Sequence, residues 1–177
     1  MDKIPLNSFQ ILAIFFPGVL LAFASSYCYY FTSIETHDIV GFFRYFKDYG
    51  IGLYFSFLCF GIFLGLVLDA IRNGVLESLF NKLSKKNKKI NWDYFYKGDP
   101  EKIVLLYSRY YNYYVFDINM SVALIFAFLT QLFLFHSNLI ICVLAIELVI
   151  ISVLIMDARA LRHDIVEITK ANRDEQV

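Results

Sequence analysis

Four long apolar stretches constrain the fold of this 177-residue chain more than any other feature of its sequence. They lie at about 9–31, 51–71, 115–135 and 139–157. Each is close to the roughly 20 residues that an α-helix needs to cross a hydrocarbon layer about 30 Å thick. Inside a bilayer the backbone N–H and C=O groups find no water, so we expect these stretches to be helical. The sequence therefore predicts an all-α, polytopic membrane protein with four transmembrane helices in a single membrane domain.

Composition supports the same class of protein. Hydrophobic residues make up 59% of the chain and charged residues 18%, whereas soluble domains hold about 45–50% and about 25%. A chain that is this apolar can bury surface, which excludes intrinsic disorder. The formal net charge is zero, but the charges are segregated along the chain.

The basic residues predict an orientation. Of the 16 lysines and arginines, only Arg44 and Lys47 fall between the first and second stretches, and none falls between the third and fourth. The other 14 flank the opposite ends of the stretches. Because cytoplasmic loops carry the excess of lysine and arginine, we expect a protein of the bacterial inner membrane with both termini in the cytoplasm. Helices 3 and 4 should extend into the cytoplasm, within a basic segment at 72–114 and a helical tail at 158–177.

Glu147 is the one charged residue between Leu139 and Met156 in the fourth stretch, and it lies near the predicted bilayer midplane. An acidic residue at this depth costs on the order of 3 kcal/mol, so its carboxyl group must face protein or water. A link of only a few residues makes helices 3 and 4 antiparallel neighbours and sets Glu147 near Ala127 and Thr130. Two interpretations remain open. Glu147 could line a cavity or pore, or it could be protonated and hydrogen-bonded to Thr130, Ser56 or a tyrosine.

Gly61 and Gly65 have the spacing of two small residues one helical turn apart, and Asp69 follows at the next step of four. Glycine at this spacing allows another helix to approach closely. The partner helix could belong to the same chain or to a second copy, and the sequence leaves both alternatives open.

A group of charged residues is expected at the inner leaflet. Asp69 and Arg72 lie at the end of the second stretch, and Arg109 and Asp117 lie around the start of the third. Unpaired charges at such depth are costly. We therefore expect Arg72 to pair with Asp117 and Arg109 with Asp69, as a structural lock between helices.

Four lysines of the basic segment form a dense cationic run, namely Lys85, Lys86, Lys88 and Lys89. A lysine near an anionic membrane surface contributes about 1 kcal/mol to binding. Contact with nucleic acid is the alternative, but membrane proximity already explains the run. We interpret it as a surface for anionic lipid headgroups or a protein partner, and we do not predict nucleic-acid binding.

No pattern of catalytic residues is visible in the sequence. The chain lacks paired acid–base residues, a Ser/His/Asp set and a metal-binding cluster. Cys28, Cys59 and Cys142 each lie inside an apolar stretch and form no C-x-x-C pair. They are interpreted as small buried hydrophobic residues. We therefore predict that the protein is not an enzyme and holds no cofactor or metal.

Several features together resemble a known kind of membrane protein. They are the small size, the two cytoplasmic termini, the entry Phe16-Pro17-Gly18, the face of Gly61, Gly65 and Asp69, and the long helix through Tyr107–Tyr114. In these respects the chain resembles the small four-span membrane subunits of bacterial anti-phage defence, such as the Kiwa-type membrane component or the membrane accessory proteins of RNA-targeting CRISPR systems. The resemblance implies a homo-oligomer that senses or perturbs the inner membrane together with a cytoplasmic protein partner.

Two functional hypotheses follow. The first is a homo-oligomeric membrane sensor or effector in antiviral defence, with pore formation as one possible activity. The second is an accessory subunit of a channel or transporter. An inverted internal repeat would support a transporter, and none is visible in the sequence.

Overall fold

The computed structural model describes residues 8–33, 39–48, 50–83, 90, 100–134 and 138–174. In chain order the helices are α1 (Ser8–Ser33), α2 (Ile39–Asp48), α3 (Gly50–Ile71), α4 (Glu77–Leu83), α5 (Pro100–Leu106), α6 (Asn112–Leu134) and α7 (Asn138–Asp174). A first π-turn, Arg72–Leu76, joins α3 to α4, and a second π-turn, Tyr107–Tyr111, joins α5 to α6. The described part of the chain contains no strand, which confirms the all-α prediction for these residues.

The π-turns widen the helices without ending them. Ile71 and Glu77, which flank the first π-turn, both keep right-handed helical backbone angles. One uninterrupted helix therefore runs over 50–83, and a second runs over 100–134. The sequence shows no helix breaker after Pro100, and the predicted long helix is present.

Three helices in the described part of the chain are long and apolar enough to cross a membrane. Their apolar sections are Ile11–Tyr30, Gly50–Phe80 and Pro100–Leu132. These sections overlap the first three predicted stretches. The membrane character of the chain is therefore supported by helix length and by composition.

The long helices pack in the order α3, α1, α6, α7. α1 lies between α3 and α6, and α6 lies between α1 and α7. The two outermost helices, α3 and α7, keep exposed apolar faces. Phe55 on α3 and Met156 on α7 are each 69% exposed. Apolar patches of this kind mark membrane or protein interaction sites. A lipid environment is the medium in which such faces are stable.

α1 and α3 cross at three glycines, and we call this contact the glycine crossing. A Cβ atom added to Gly18 would overlap the carbonyl oxygen of Gly61 and lie 2.7 Å from the Cα of Gly65. A Cβ atom on Gly65 would overlap the carbonyl oxygen of Ile14. The two backbones thus touch directly, which only glycine permits. Of the two alternatives for Gly61 and Gly65, the structure shows contact within the chain, and Gly18 is the residue that meets them.

Pro17 lies inside α1 and leaves one backbone acceptor without its usual donor. Proline has no N–H, so the carbonyl oxygen of Ala13, four residues earlier, loses its helical hydrogen bond. The side-chain Nδ2 of Asn119 on α6 donates to this oxygen at 3.4 Å. A neighbouring helix therefore compensates for the proline, as is common in membrane helices.

The core lies largely around the second π-turn. It joins α5, α6 and α7 through Ile103, Leu106, Tyr114, Val115, Ile118, Ala158, Ile165 and Val166. Ile90 also packs into it. This core fixes the three helices around the polar residues described next.

Candidate functional site

The two π-turns lie side by side. The guanidinium carbon of Arg72, in the first π-turn, is 5.7 Å from the ring centre of Tyr111, in the second. A cation over an aromatic face is attracted by the ring. π-turns are rare and occur often at functional sites. Their meeting at one level of the molecule therefore marks the candidate site, which we call the π-junction.

Arg72 is held by an acid on its own helix. Its Nη2 and Nε atoms donate to Oδ1 of Asp69 at 2.9 and 3.2 Å, and Asn73 Nδ2 donates to Oδ2 at 3.1 Å. The predicted pairs of Arg72 with Asp117 and of Arg109 with Asp69 are wrong. Residues three apart already face each other on a helix, so Asp69 reaches Arg72 locally, while Arg109 is exposed.

Asp117 has a different neighbour from the one predicted. It is buried on α6, and the charged group that it meets is the carboxyl group of Asp157 on α7. Its contact therefore joins α6 to α7 through two acids instead of joining α6 to the end of α3 through an ion pair.

Glu77 and Tyr114 form the most buried polar contact of the π-junction. The Tyr114 hydroxyl donates to Oε1 of Glu77 in a short hydrogen bond. Tyr114 is only 1% exposed and Glu77 only 4%. The bond ties α4 to α6 across 37 residues of sequence. Sequence reasoning missed both residues, because nothing in the spacing indicates that they meet.

Several polar atoms in and beside the π-junction are buried but have no hydrogen-bond partner in the described part of the chain. They are Nη1 of Arg72, Oε2 of Glu77, Nδ2 of Asn112 and Oδ2 of Asp117. A buried donor or acceptor left in this state costs about 1–3 kcal/mol. The π-junction therefore concentrates buried polar atoms that are not hydrogen-bonded within the described part of the chain.

A cleft of about 590 Å³ adjoins the π-junction between α4, α6 and α7. One end is apolar and is lined by Val122, Ile125 and Ile155. The other end carries Arg159, Arg162, His163 and Glu167, and Tyr114 lies in the wall. Arg162 lies over the ring of Phe80, with its guanidinium carbon 5.7 Å from the ring centre. The cleft thus changes from apolar to basic along its length.

Glu147 lies away from the π-junction, in the contact between α6 and α7. Gln131 Nε2 donates to its Oε1 at 3.2 Å. Thr130, the partner considered from the sequence, instead donates its hydroxyl to the carbonyl oxygen of Phe126 at 2.9 Å. Threonine commonly bonds to the carbonyl four residues earlier in its own helix. Glu147 is therefore hydrogen-bonded within the chain, and the donor is Gln131.

The remaining predicted surface, Lys85, Lys86, Lys88 and Lys89, lies outside the described residues. The chain matches no protein-family model, no curated protein and no solved structure. The resemblance to membrane subunits of anti-phage defence therefore stays a prediction.

Proposed function

We propose that this chain is a four-span protein of the bacterial inner membrane, with both termini in the cytoplasm, that acts as a homo-oligomeric membrane sensor or effector. The fourth span is assigned to the first half of α7, which carries the apolar stretch at 139–157. The excess of lysine and arginine at one end of the helices supports the orientation. In this orientation the π-junction lies at the cytoplasmic end of the membrane helices.

One observation carries the sensor function, namely the buried polar atoms of the π-junction that have no partner among the described residues. Such groups are rare in folded proteins. A second arrangement of the helices that gives Arg72 Nη1 and Glu77 Oε2 a partner is favoured by those new bonds. A partner that binds this second arrangement better, or a change in the membrane that stabilises it, can select it. The π-junction links the membrane helices to their extensions, so it is suited to transmit such a change.

Self-association is supported by the exposed apolar faces at the ends of the helix row. Gly61 and Gly65 are occupied by α1, so we assign the contact between copies to the outer faces of α3 and α7. Residues such as Phe63 and Val149, which are 59% and 63% exposed, lie there. As the resemblance implies, we place this assembly in antiviral defence with a cytoplasmic protein partner.

The topology is tested by cysteine labelling in intact cells. The three native cysteines are replaced by serine, and single cysteines are introduced in place of Lys3, Lys47, Ser137 and Arg173. An impermeant maleimide added outside should label only the variants at 47 and 137. Labelling at 3 or 173 would contradict the proposed orientation.

The sensor activity is tested by following membrane potential with a fluorescent dye during phage infection of cells that carry the chain and its native gene neighbours. The wild type is expected to change the potential. The Glu77→Leu/Tyr114→Phe variant should not, because it removes the buried pair. The control Lys102→Gln, at an exposed position outside both π-turns, should respond like the wild type. A self-complex without a further polytopic protein in the purified sample would support the sensor over the accessory subunit of a channel or transporter.

A further inference from the structure

The cleft between α4, α6 and α7 has the polarity profile of a membrane lipid. α6 and α7 are joined by a short link and run antiparallel, so Ile125 and Ile155 both lie toward the middle of the helices. Arg159 follows Ile155 by four residues and His163 by eight, which places them about 6 and 12 Å further along the axis. The apolar end of the cleft therefore lies inside the predicted span at 139–157, and the basic end lies just beyond it.

The charges at the basic end favour an anion. Two arginines line it, against one acid, Glu167, while His163 lies 3.8 Å from the carboxyl group of Asp164 on its own helix. The planar guanidinium group of arginine matches phosphate oxygens with two parallel donors. Phe80 orients Arg162 from the opposite wall. No carboxylate in the described part of the chain forms an ion pair with Arg159.

The size of the cleft also suits a small amphiphile. Ligand pockets commonly measure about 300–1,000 Å³ and combine an apolar lining with a few polar groups. A volume near 590 Å³ falls in this range. The cleft can hold a headgroup phosphate at Arg159 and Arg162 and the upper part of an acyl chain along Val122 and Ile125.

We infer that the cleft binds one anionic phospholipid of the inner leaflet, with its phosphate at Arg159 and Arg162 and an acyl chain against Ile125 and Ile155. The inference rests on the proposed function, because it needs the basic end of the cleft at the cytoplasmic headgroup level. It also deepens that function. Tyr114 lines the cleft and bonds to Glu77, so an occupied cleft reports lipid composition to the π-junction.

The test uses the full chain, delipidated in mild detergent and observed by native mass spectrometry. Lys85, Lys86, Lys88 and Lys89 are changed to glutamine in every sample, so that the lysine run does not contribute. Phosphatidylglycerol is expected to bind at one molecule per chain, in preference to phosphatidylcholine with the same acyl chains. Arg159→Gln/Arg162→Gln should bind it about thirtyfold more weakly, and the exposed control Arg109→Gln should match the wild type.

A second pair of variants separates the cleft from simple charge attraction. Ile125→Trp/Ile155→Trp fills the apolar end without changing any charge and is expected to abolish lipid binding. Ile146→Trp/Ile150→Trp adds the same bulk at two exposed positions and should have no effect. Size-exclusion profiles show that each variant is folded. Equal binding by the wild type and the filled variant would overturn the inference.

Glycerol 3-phosphate, added at the concentration of the lipid, is expected not to displace it. Displacement would show that the cleft is a site for soluble phosphates and would overturn the assignment to a phospholipid. Failure here is separable from failure of the proposed function. Loss of lipid selectivity with the expected labelling at 47 and 137 contradicts the inference alone. Labelling at 3 or 173 with retained lipid binding contradicts the orientation.

Discussion

The glycine crossing and the π-junction pack helices in opposite ways. At the crossing, Gly18, Gly61 and Gly65 bring two backbones into direct contact, with the Val19 side chain packed against Gly61. At the π-junction, arginine, glutamate and tyrosine side chains fill the space between helices, and some of their polar atoms lack partners. A shift at the crossing would drive backbone atoms into one another, whereas our proposal has the π-junction gain hydrogen bonds by rearranging. We therefore expect the crossing to be the fixed part of the molecule and the π-junction the part that changes.

The largest effect is expected at the glycine crossing. Gly18→Val would place side-chain atoms where the Gly61 carbonyl now lies. Overpacking usually costs about 1–3 kcal/mol, and more where backbone must move. We expect a loss of about 3 kcal/mol, seen as a large drop in the unfolding temperature in detergent.

The matched control for this change is Gly52→Ala, since nothing lies within 4 Å of a Cβ atom there. Alanine is a better helix former than glycine by about 1 kcal/mol, so this variant should be as stable as the wild type or more so. A Gly18→Val protein with the wild-type unfolding temperature would show that the crossing is not a fixed contact.

The next largest effect is expected at the π-junction. Tyr114→Phe removes the donor to Glu77 and leaves a buried carboxyl group without its bond. We expect a loss of about 2 kcal/mol in the free energy of unfolding. Combining it with Glu77→Leu should cost less than the sum of the single changes, because the two residues interact.

Tyr113→Phe is the control at a neighbouring tyrosine that is 45% exposed. It should cost less than Tyr114→Phe, because water can replace the partners of an exposed hydroxyl group. Thermal unfolding in one detergent of the wild type, the two single variants and the double variant measures how strongly Glu77 and Tyr114 interact. Strict additivity of Glu77→Leu and Tyr114→Phe would mean that the buried bond does not hold α4 to α6.

A third prediction concerns α6, which carries Tyr114 of the π-junction and also contacts α1 beside the glycine crossing. The Asn119 side chain on α6 donates to the Ala13 carbonyl oxygen, which Pro17 leaves without its usual donor. Asn119→Ala should cost about 1 kcal/mol. In a Pro17→Ala background the helix can make its own bond to Ala13, so the same change should cost much less. An equal loss of unfolding temperature in both backgrounds would refute the compensation.

The sequence predicts the helices well and the contacts between polar residues poorly, for physical reasons. Helix formation at 100–134 follows from local apolar composition and from the lack of breakers after Pro100, whereas at 8–33 the apolar composition outweighs the break at Pro17. The close approach at Gly61 follows from the absence of a side chain. The partner of Gly18 depends on which helices become neighbours, and so does the bond between Glu77 and Tyr114. No local pattern encodes either of these contacts.

The errors in the predicted charge pairs have a more specific cause. Pairing Arg72 with Asp117 assumed that a charge at membrane depth must seek another helix. Asp69, one turn earlier on the same helix, pairs with Arg72, and this pair costs less side-chain entropy than a pair between two helices. The π-turns escaped prediction because no local pattern in Arg72–Leu76 or Tyr107–Tyr111 distinguishes a π-turn from a turn of α-helix. Their extra residue per turn arises from packing and not from local preference.

The smallest effect is expected at Glu147, where the predicted and observed partners can be separated. Thr130 bonds to its own helix, so Thr130→Val should change the unfolding free energy by less than about 0.5 kcal/mol. Gln131→Leu removes the donor to Glu147 and should cost about 1 kcal/mol. Glu147→Gln in the Gln131→Leu background should restore part of this loss, since a neutral amide is less costly to bury than an unpaired acid. If Thr130→Val were instead the more damaging change, the Glu147 carboxyl group would be bonded to Thr130 and not to Gln131. The contact between α6 and α7 would then be one that can rearrange, as we propose for the π-junction, and not one that is fixed, as we expect for the glycine crossing.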